Sequence, residues 1–189
     1  NGTIPTVTID YVFNSCTSVS SDNVKGMRDL VRYVYEMGHR RIAYIHGEDD
    51  SEVTKQRLTS FYRTLEELGI EVPDEYVKAE QFTDELLDMK DAPTCIFYPD
   101  DLSNTGGLNA VRKRGLKVPR DISTVGYDGI KLSQMLSPKL TTLRQDTMEI
   151  GKKAAKELIA AIERPKTTLV KRVIVEGTLI EGETVRDIS

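Results

Sequence analysis

Thr94-Cys95-Ile96-Phe97-Tyr98 is a run without polar and apolar alternation. A strand with one wet face alternates at every second residue, so a continuous run of this kind is read as a strand covered on both faces, as in parallel sheets held between helices. The flanking segments fit that frame. A strand is predicted over 41–46, then an amphipathic helix with Val53, Leu58, Phe61, Leu65 and Leu68 on one stripe, stopped by Gly69 with Pro73 beyond. Upstream, Ser21 or Asp22 can cap a helix whose Val24, Met27, Leu30, Val31 and Val34 recur at helical spacing until Gly38. A weak strand at 76–79 and a short helix at 84–89 precede the apolar run, and a helix at 102–114 follows it. Gly115 opens a Gly-Leu-x-Val-Pro turn into a β-branched strand at 122–125. A helix over 146–162 carries Ile150, Ala154, Leu158 and Ile162 on one face, and short strands at 173–175 and 178–180 finish the chain. The chain opens on an alternating strand, 4–10, that closes on Asp10. Repeated strand, helix, strand of this length predicts an α/β fold with a doubly wound parallel sheet and helices on both faces.

Composition narrows the function classes. The 189 residues, 39% apolar and 30% charged, are ordinary for a folded chain of one large or two small domains. A net charge of -4 provides no global basic field for gripping nucleic acid. Cys16 and Cys95 lie far apart and outside any Cys-x-x-Cys cluster, so both read as small core or strand residues, and neither a disulfide framework nor a zinc site is expected. His39 reads as part of the helix-to-strand turn, and neither it nor His46 has a metal or catalytic partnership. No membrane association is expected, because no run approaches the roughly 18 apolar residues of a span. With no signal peptide ahead of Asn1, a reduced cytoplasmic setting is the simplest expectation. Asn1-Gly2-Thr3 matches a glycosylation sequon without a secretory context to use it. The opening lacks Met and enters a strand at once, which reads as a fragment. The clusters Arg112-Lys113-Arg114 and Lys152-Lys153 read as solvated helix faces.

Ligand contacts in parallel α/β sheets gather outside the carboxyl ends of strands. Those ends read Asp10-Tyr11, His46-Gly47, Tyr98-Pro99-Asp100-Asp101 and Tyr127-Asp128, the last placed outside a strand that ends at Gly126. Acids that accept hydrogen bonds from neighbouring hydroxyls, beside aromatic faces that cover a sugar ring, suit a neutral polyhydroxylated ligand. No Gly-x-Gly-x-x-Gly or Walker sequence is present, so no cofactor is expected, and the acids would repel a phosphate. Asp100 and Asp101 form no acid pair with a nucleophile, base or metal, which argues against an enzyme.

Six motifs in register carry a resemblance. Pro5-x-Val7-x-Ile9-Asp10, Gly38-His39-Arg40-Arg41-Ile42-Ala43-Tyr44-Ile45-x-Gly47, Arg57-Leu58-x-x-Phe61, Asp101-x-x-x-x-Gly106, Gly115-Leu116-x-Val118-Pro119-x-Asp121-Ile122-Ser123-x-Val125-Gly126-Tyr127-Asp128 and Pro138-x-Leu140-Thr141-Thr142 keep their order and spacing. Together they resemble the effector-binding domain of the lactose and galactose repressor family of transcription regulators. The resemblance implies a type I periplasmic-binding-protein-like fold, mostly its carboxyl-terminal lobe at 22–140 and 174–189, with an amino-terminal remnant at 1–21 and 141–173. It implies the sensor of a sugar-responsive repressor that binds a small carbohydrate between two lobes, forms a homodimer, and meets DNA only through a helix-turn-helix absent from these residues. A transport-type or extracellular sugar-binding protein of the same fold is the alternative.

The resemblance also assigns roles. Asp22 and Asp128 match acids that face ligand hydroxyls, and Arg57 matches the arginine of an Arg-x-x-Gly-Phe helix that reaches the effector. Asp100 stands where sugar-binding members carry Asn. Tyr11 and Phe82 match aromatic walls, and Ser51 matches a polar contact. Each has a plainer reading beside it: Asp22 as a helix cap, Asp128 as a turn cap, Arg57 as a surface residue paired with Glu52 or Asp50, and Phe82 as core. Ser60 replaces the usual Gly, Asn104 replaces a usual small residue, and Glu181-Gly182-Glu183 replaces a terminal Arg-x-Ser.

Overall fold

A computed structural model describes residues 4–79, 82–165 and 168–189, so Asn1-Gly2-Thr3 lies outside the described residues. The strands in chain order are β1 (Val7–Ile9), β2 (Thr17–Ser21), β3 (Ile42–His46), β4 (Val77–Ala79), β5 (Cys95–Phe97), β6 (Ser123–Asp128), β7 (Thr141–Arg144), β8 (Arg172–Val175) and β9 (Thr178–Ile180). The helices are α1 (Asn23–Glu36), α2 (Glu52–Glu67), α3 (Thr83–Asp88), α4 (Asp101–Lys113) and α5 (Thr147–Glu163). They form two units, one from the described residues of Asn1–Asp22 and Gln145–Gly177, the other from Asn23–Arg144 and Thr178–Ser189.

The larger unit holds a six-stranded sheet in the order β4-β3-β5-β6-β7-β9, parallel except for the antiparallel β7–β9 edge. The apolar run lies inside it as β5. Cys95 and Phe97 join the cluster of Tyr44, Phe61, Leu65 and Tyr127 with Met27, Leu30, Val31 and Val34, so α1 and α2 cover that face. Ile96 joins Ala43, Ile45, Leu86 and Val111 on the other face, under α3 and α4. Burial on both faces is why the run shows no alternation.

Two strands, β2 and β7, have no counterpart in the sequence pattern. Both are rich in hydroxyls: Thr17, Ser18, Ser21, Thr141 and Thr142 are all buried. The threonines among them are hydrogen-bonded, with Thr142 Oγ1 donating to Asp101 Oδ1 at 2.6 Å, Thr141 Oγ1 accepting from the Gly182 N–H at 3.1 Å and Thr17 Oγ1 from the Lys171 N–H at 3.1 Å. A hydropathy pattern registers Ser and Thr as polar and overlooks such strands. In consequence Thr141–Arg144 pairs with β6 in the larger sheet, although the resemblance puts 141–144 with the amino-terminal remnant. Likewise β8 pairs with β2, so 174–177 falls in the smaller unit. A third difference concerns Tyr127. It lies within β6, 1% exposed, rather than outside the strand end, because it shares the α1 face with Val125 two residues earlier.

The smaller unit is a parallel sheet in the order β1-β2-β8, packed with α5 around Val19, Ile150 and Val175. Of the apolar stripe on α5, Ile150 is buried and Ala154 packs against this cluster, whereas Ile162 is exposed. Both cysteines are free, and burial pushes the Cys95 thiol well above its ordinary pKa. No helix among the described residues is long and apolar enough to cross a membrane.

His39 ties the end of α1 to the carboxyl-terminal segment. Its Nε2 lies 3.0 Å from the Arg186 carbonyl and its Nδ1 lies 2.8 Å from Thr94 Oγ1. The carbonyl can only accept, so Nε2 carries a proton. Burial lowers the pKa of this imidazole below 6.5, its value when free. The unfolded chain therefore takes up a proton on acidification before the folded chain does, and stability present above the unfolded pKa is lost as pH falls toward the folded one. Urea midpoints should fall between about pH 7 and about pH 5.5, and the decline should be shallower in His39→Gln. Equal slopes in the two proteins would remove His39 from the account.

Candidate functional site

The carboxyl ends of β3, β5 and β6 open toward the first turns of α1, α2 and α4. Arg57 sits in the second turn of α2, on the face that buries Phe61 and Leu65 one and two turns later, so the same periodicity that builds the core carries its side chain inward. It is 7% exposed. Its guanidinium lies over the Tyr127 ring at 3.5 Å, Nε donates to Asn23 Oδ1 at 2.9 Å, and Nη1 donates to the Pro99 carbonyl at 3.0 Å. Neutral acceptors and an aromatic face thus stabilise the buried cation. Neither Glu52 nor Asp50 pairs with it, which sets aside the surface reading; Glu52 instead accepts from Gln56 Nε2 at 3.2 Å. Nη2 remains available to donate elsewhere. Ser60, in place of the usual Gly, donates to the Val24 carbonyl at 2.6 Å and ties α2 to α1.

Asp128 ends β6 with φ 103°, a positive value that Asp tolerates better than most residues, and is half-buried. Gly129 follows at φ 66°, where an added Cβ would meet Arg144 Cα at 2.4 Å, so the chain turns sharply beside β7 and only glycine fits. The 3-10 helix Lys131–Gln134 follows, with Ile130 at its cap. Asp101, 2% exposed, holds this turn from below: Oδ2 accepts from the Ile130 N–H at 2.9 Å while Oδ1 takes the Thr142 hydroxyl. Burial pushes its carboxyl above the ordinary range, and those hydrogen bonds pull it back.

Three expected site residues prove to stand at helix starts. Asp100 caps α4, its Oδ1 accepting from the Ser103 N–H at 2.7 Å and its Oδ2 from Ser103 Oγ at 3.0 Å. Ser51 caps α2, accepting from the Thr54 N–H at 3.4 Å. Phe82, half-buried, immediately precedes α3 and makes no side-chain cap bond. Tyr11 and Asp22 belong to the smaller unit. Tyr11 is exposed and tilts against Phe13 at 4.7 Å between ring centroids, and the Asp22 N–H donates to the Val175 carbonyl at 2.8 Å just before α1. Asp10, at φ 54°, follows directly on β1, and its Oδ1 accepts from the Ser21 N–H. The structure therefore gathers Arg57, Tyr127, Asn23 and the Pro99 carbonyl at one point, with Asp100 next in chain. Asn23 and the Tyr127 platform escaped the sequence reading. Period-2 spacing from Val125 was the available signal for Tyr127; for Asn23 there was none. Among the described residues no group of three or more His, Cys, Asp or Glu could hold a metal ion.

Residues 31–185 match the family model of the periplasmic binding protein-like domain. The HTH-type transcriptional repressor CytR of Escherichia coli is 34% identical over 88% of this chain and 51% of its own length. PurR of Aliivibrio salmonicida, also an HTH-type transcriptional repressor, is 30% identical over 86% and 52%. The chain spans about half the length of these curated relatives. A putative transcriptional regulator LacI from Bacillus cereus subsp. cytotoxis superposes with TM-score 0.91 at 31% identity, covering 98% of this chain and 69% of that one. The CelR–cellobiose complex, a transcriptional regulator, superposes at 0.86 with 28% identity, covering 94% and 58%. With its doubly covered parallel sheet and the buried arginine at the sheet's carboxyl edge, the chain belongs to the periplasmic binding protein-like domain family, among the LacI-family transcription regulators.

Proposed function

We propose that this chain is the effector-sensing part of a LacI-type transcription repressor, and that its effector is a small neutral polyhydroxylated molecule, a carbohydrate. The observation that carries this reading is Arg57: a buried guanidinium fixed by two neutral acceptors and a ring, with Nη2 still able to donate. A hydroxyl both donates and accepts, so it can satisfy such an arginine and a carboxylate together, which a phosphate beside Asp100 and Asp128 cannot. Arg57 donates to effector oxygens, while Asp128 and Asp100 accept from hydroxyls. Phe82 offers an apolar face and Ser51 a polar contact. That a related regulator forms a complex with cellobiose supports a sugar here.

DNA contact is assigned to a helix-turn-helix domain outside these 189 residues, and the protein acts in the cytoplasm, where its operator lies. Effector then alters DNA affinity only so far as it binds two arrangements of the protein unequally. Homodimerisation is supported by apolar side chains left in water at the start of α4 and just after the 3-10 helix Lys131–Gln134: Leu102, 64% exposed, and Met135, 80% exposed. A thermal-shift screen of the full-length protein against mono- and disaccharides tests the reading. At a hundredfold excess over Kd, a true effector should add about 2.7 kcal/mol of stability. Shifts from sugar phosphates alone would contradict a neutral effector.

A further inference from the structure

We propose that Asn23 and Gln56 are positioning residues that aim the Arg57 fork through a hydrogen-bond relay whose direction is dictated from both ends. The proposal rests on the reading that Arg57 meets the effector. Glu52 Oε1 accepts from Gln56 Nε2 at 3.2 Å, Gln56 Oε1 accepts from Asn23 Nδ2 at 3.2 Å, and Asn23 Oδ1 accepts from Arg57 Nε at 2.9 Å. A guanidinium can only donate and an ionised carboxylate can only accept, whereas each amide between them has one end of either kind. Only one setting of the two amides satisfies every link. Turning over either one sets donor against donor or acceptor against acceptor.

The relay has a fixed base and a definite output. Asn23, 2% exposed, is the first residue of α1 and follows directly on Asp22 of the smaller unit, while Glu52 and Gln56 lie one turn apart on α2. The Tyr127 ring at 3.5 Å sets the plane of the guanidinium and the Pro99 carbonyl holds Nη1. Asn23 fixes rotation about the bond to Nε, and with it the direction in which Nη2 points. Since a fork recognises paired oxygens only when correctly turned, Asn23 acts on the effector through Arg57 and need not touch it.

Arginine Nε–H spectra of the 15N-labelled 189-residue chain test the relay without any effector. The Arg57 signal, assigned by its absence in Arg57→Lys, should exchange with water at least about tenfold more slowly than those of exposed arginines. In Asn23→Ala that protection should disappear while the backbone amide spectrum stays folded. Asn23→Asp, which keeps an acceptor for Nε, should restore it. Should Asn23→Ala fail to fold, the half-buried Gln56→Leu removes the polarity lock alone and should cut the protection several-fold. Unchanged Arg57 protection in Asn23→Ala, or in Gln56→Leu if that variant must serve, would overturn the proposal. Loss of protection together with unaltered effector affinity in Arg57→Ala would leave the relay standing and remove the effector reading instead.

Discussion

Phe61→Ala should lower the free energy of unfolding by about 3–5 kcal/mol, the range for emptying a large aromatic site in a packed core. Phe61 is fully buried at the middle of α2 and touches three other rings, with centroid distances of 5.1 Å to Tyr44, 5.7 Å to Phe97 and 5.9 Å to Tyr62. Truncation to Ala removes the ring's transfer energy and leaves a void that strands β3 and β5, held in their ladders, are poorly placed to fill. Phe61→Leu keeps most of the volume and should cost less than half as much. Urea denaturation at neutral pH reads both. A loss below about 1 kcal/mol for Phe61→Ala would mean that α2 is not anchored as described. Phe61 also stands one turn from Arg57, so the variant should loosen the wall that presents the arginine.

Asp101→Ala should be nearly as damaging, by about 2–4 kcal/mol, for a different reason. The carboxylate receives the Thr142 hydroxyl and the Ile130 N–H in a site 2% exposed, and its removal strands both donors where water does not reach. Asp101→Asn should be far milder, because its amide oxygen still accepts from Ile130 while the Thr142 hydroxyl turns to accept from the new amide. The contrast separates lost hydrogen bonds from lost charge: similar destabilisation by Ala and Asn would show that the negative charge itself matters. Because Ile130 begins two residues after Asp128, Asp101→Ala should also disturb the turn that presents Asp128.

The layered sheet was legible in the sequence because its parallel strands carry unbroken apolar runs and its helices keep a strict 3.6-residue stripe; Cys95 to Phe97 and the α1 stripe at Met27, Leu30, Val31 and Val34 show both signals. Strands β2 and β7 were not legible. Their buried threonines Thr17, Thr141 and Thr142 are hydrogen-bonded to partners distant in sequence, such as Asp101 for Thr142, and no local pattern reports such a partner. The candidate site drew on two kinds of signal. Strand ends pointed to Asp100 and Asp128 as candidates, and the family resemblance singled out Arg57. Helix capping by Asp100 and Ser51 is a local signal, Asp-x-x-Ser and Ser-x-x-Thr, that a sequence reading could have used. Burial of Arg57 between Asn23, Pro99 and Tyr127 depends on three segments converging, which spacing along the chain does not encode.

The central claim is that Arg57 and Asp128 at the carboxyl edge of the six-stranded sheet hold the effector. Isothermal titration of the full-length protein with the sugar that stabilises it most, in wild type, Arg57→Ala and Asp128→Ala, tests this most directly. Each substitution should weaken binding at least about tenfold, or about 1.4 kcal/mol. Wild-type affinity in both folded variants would contradict the account.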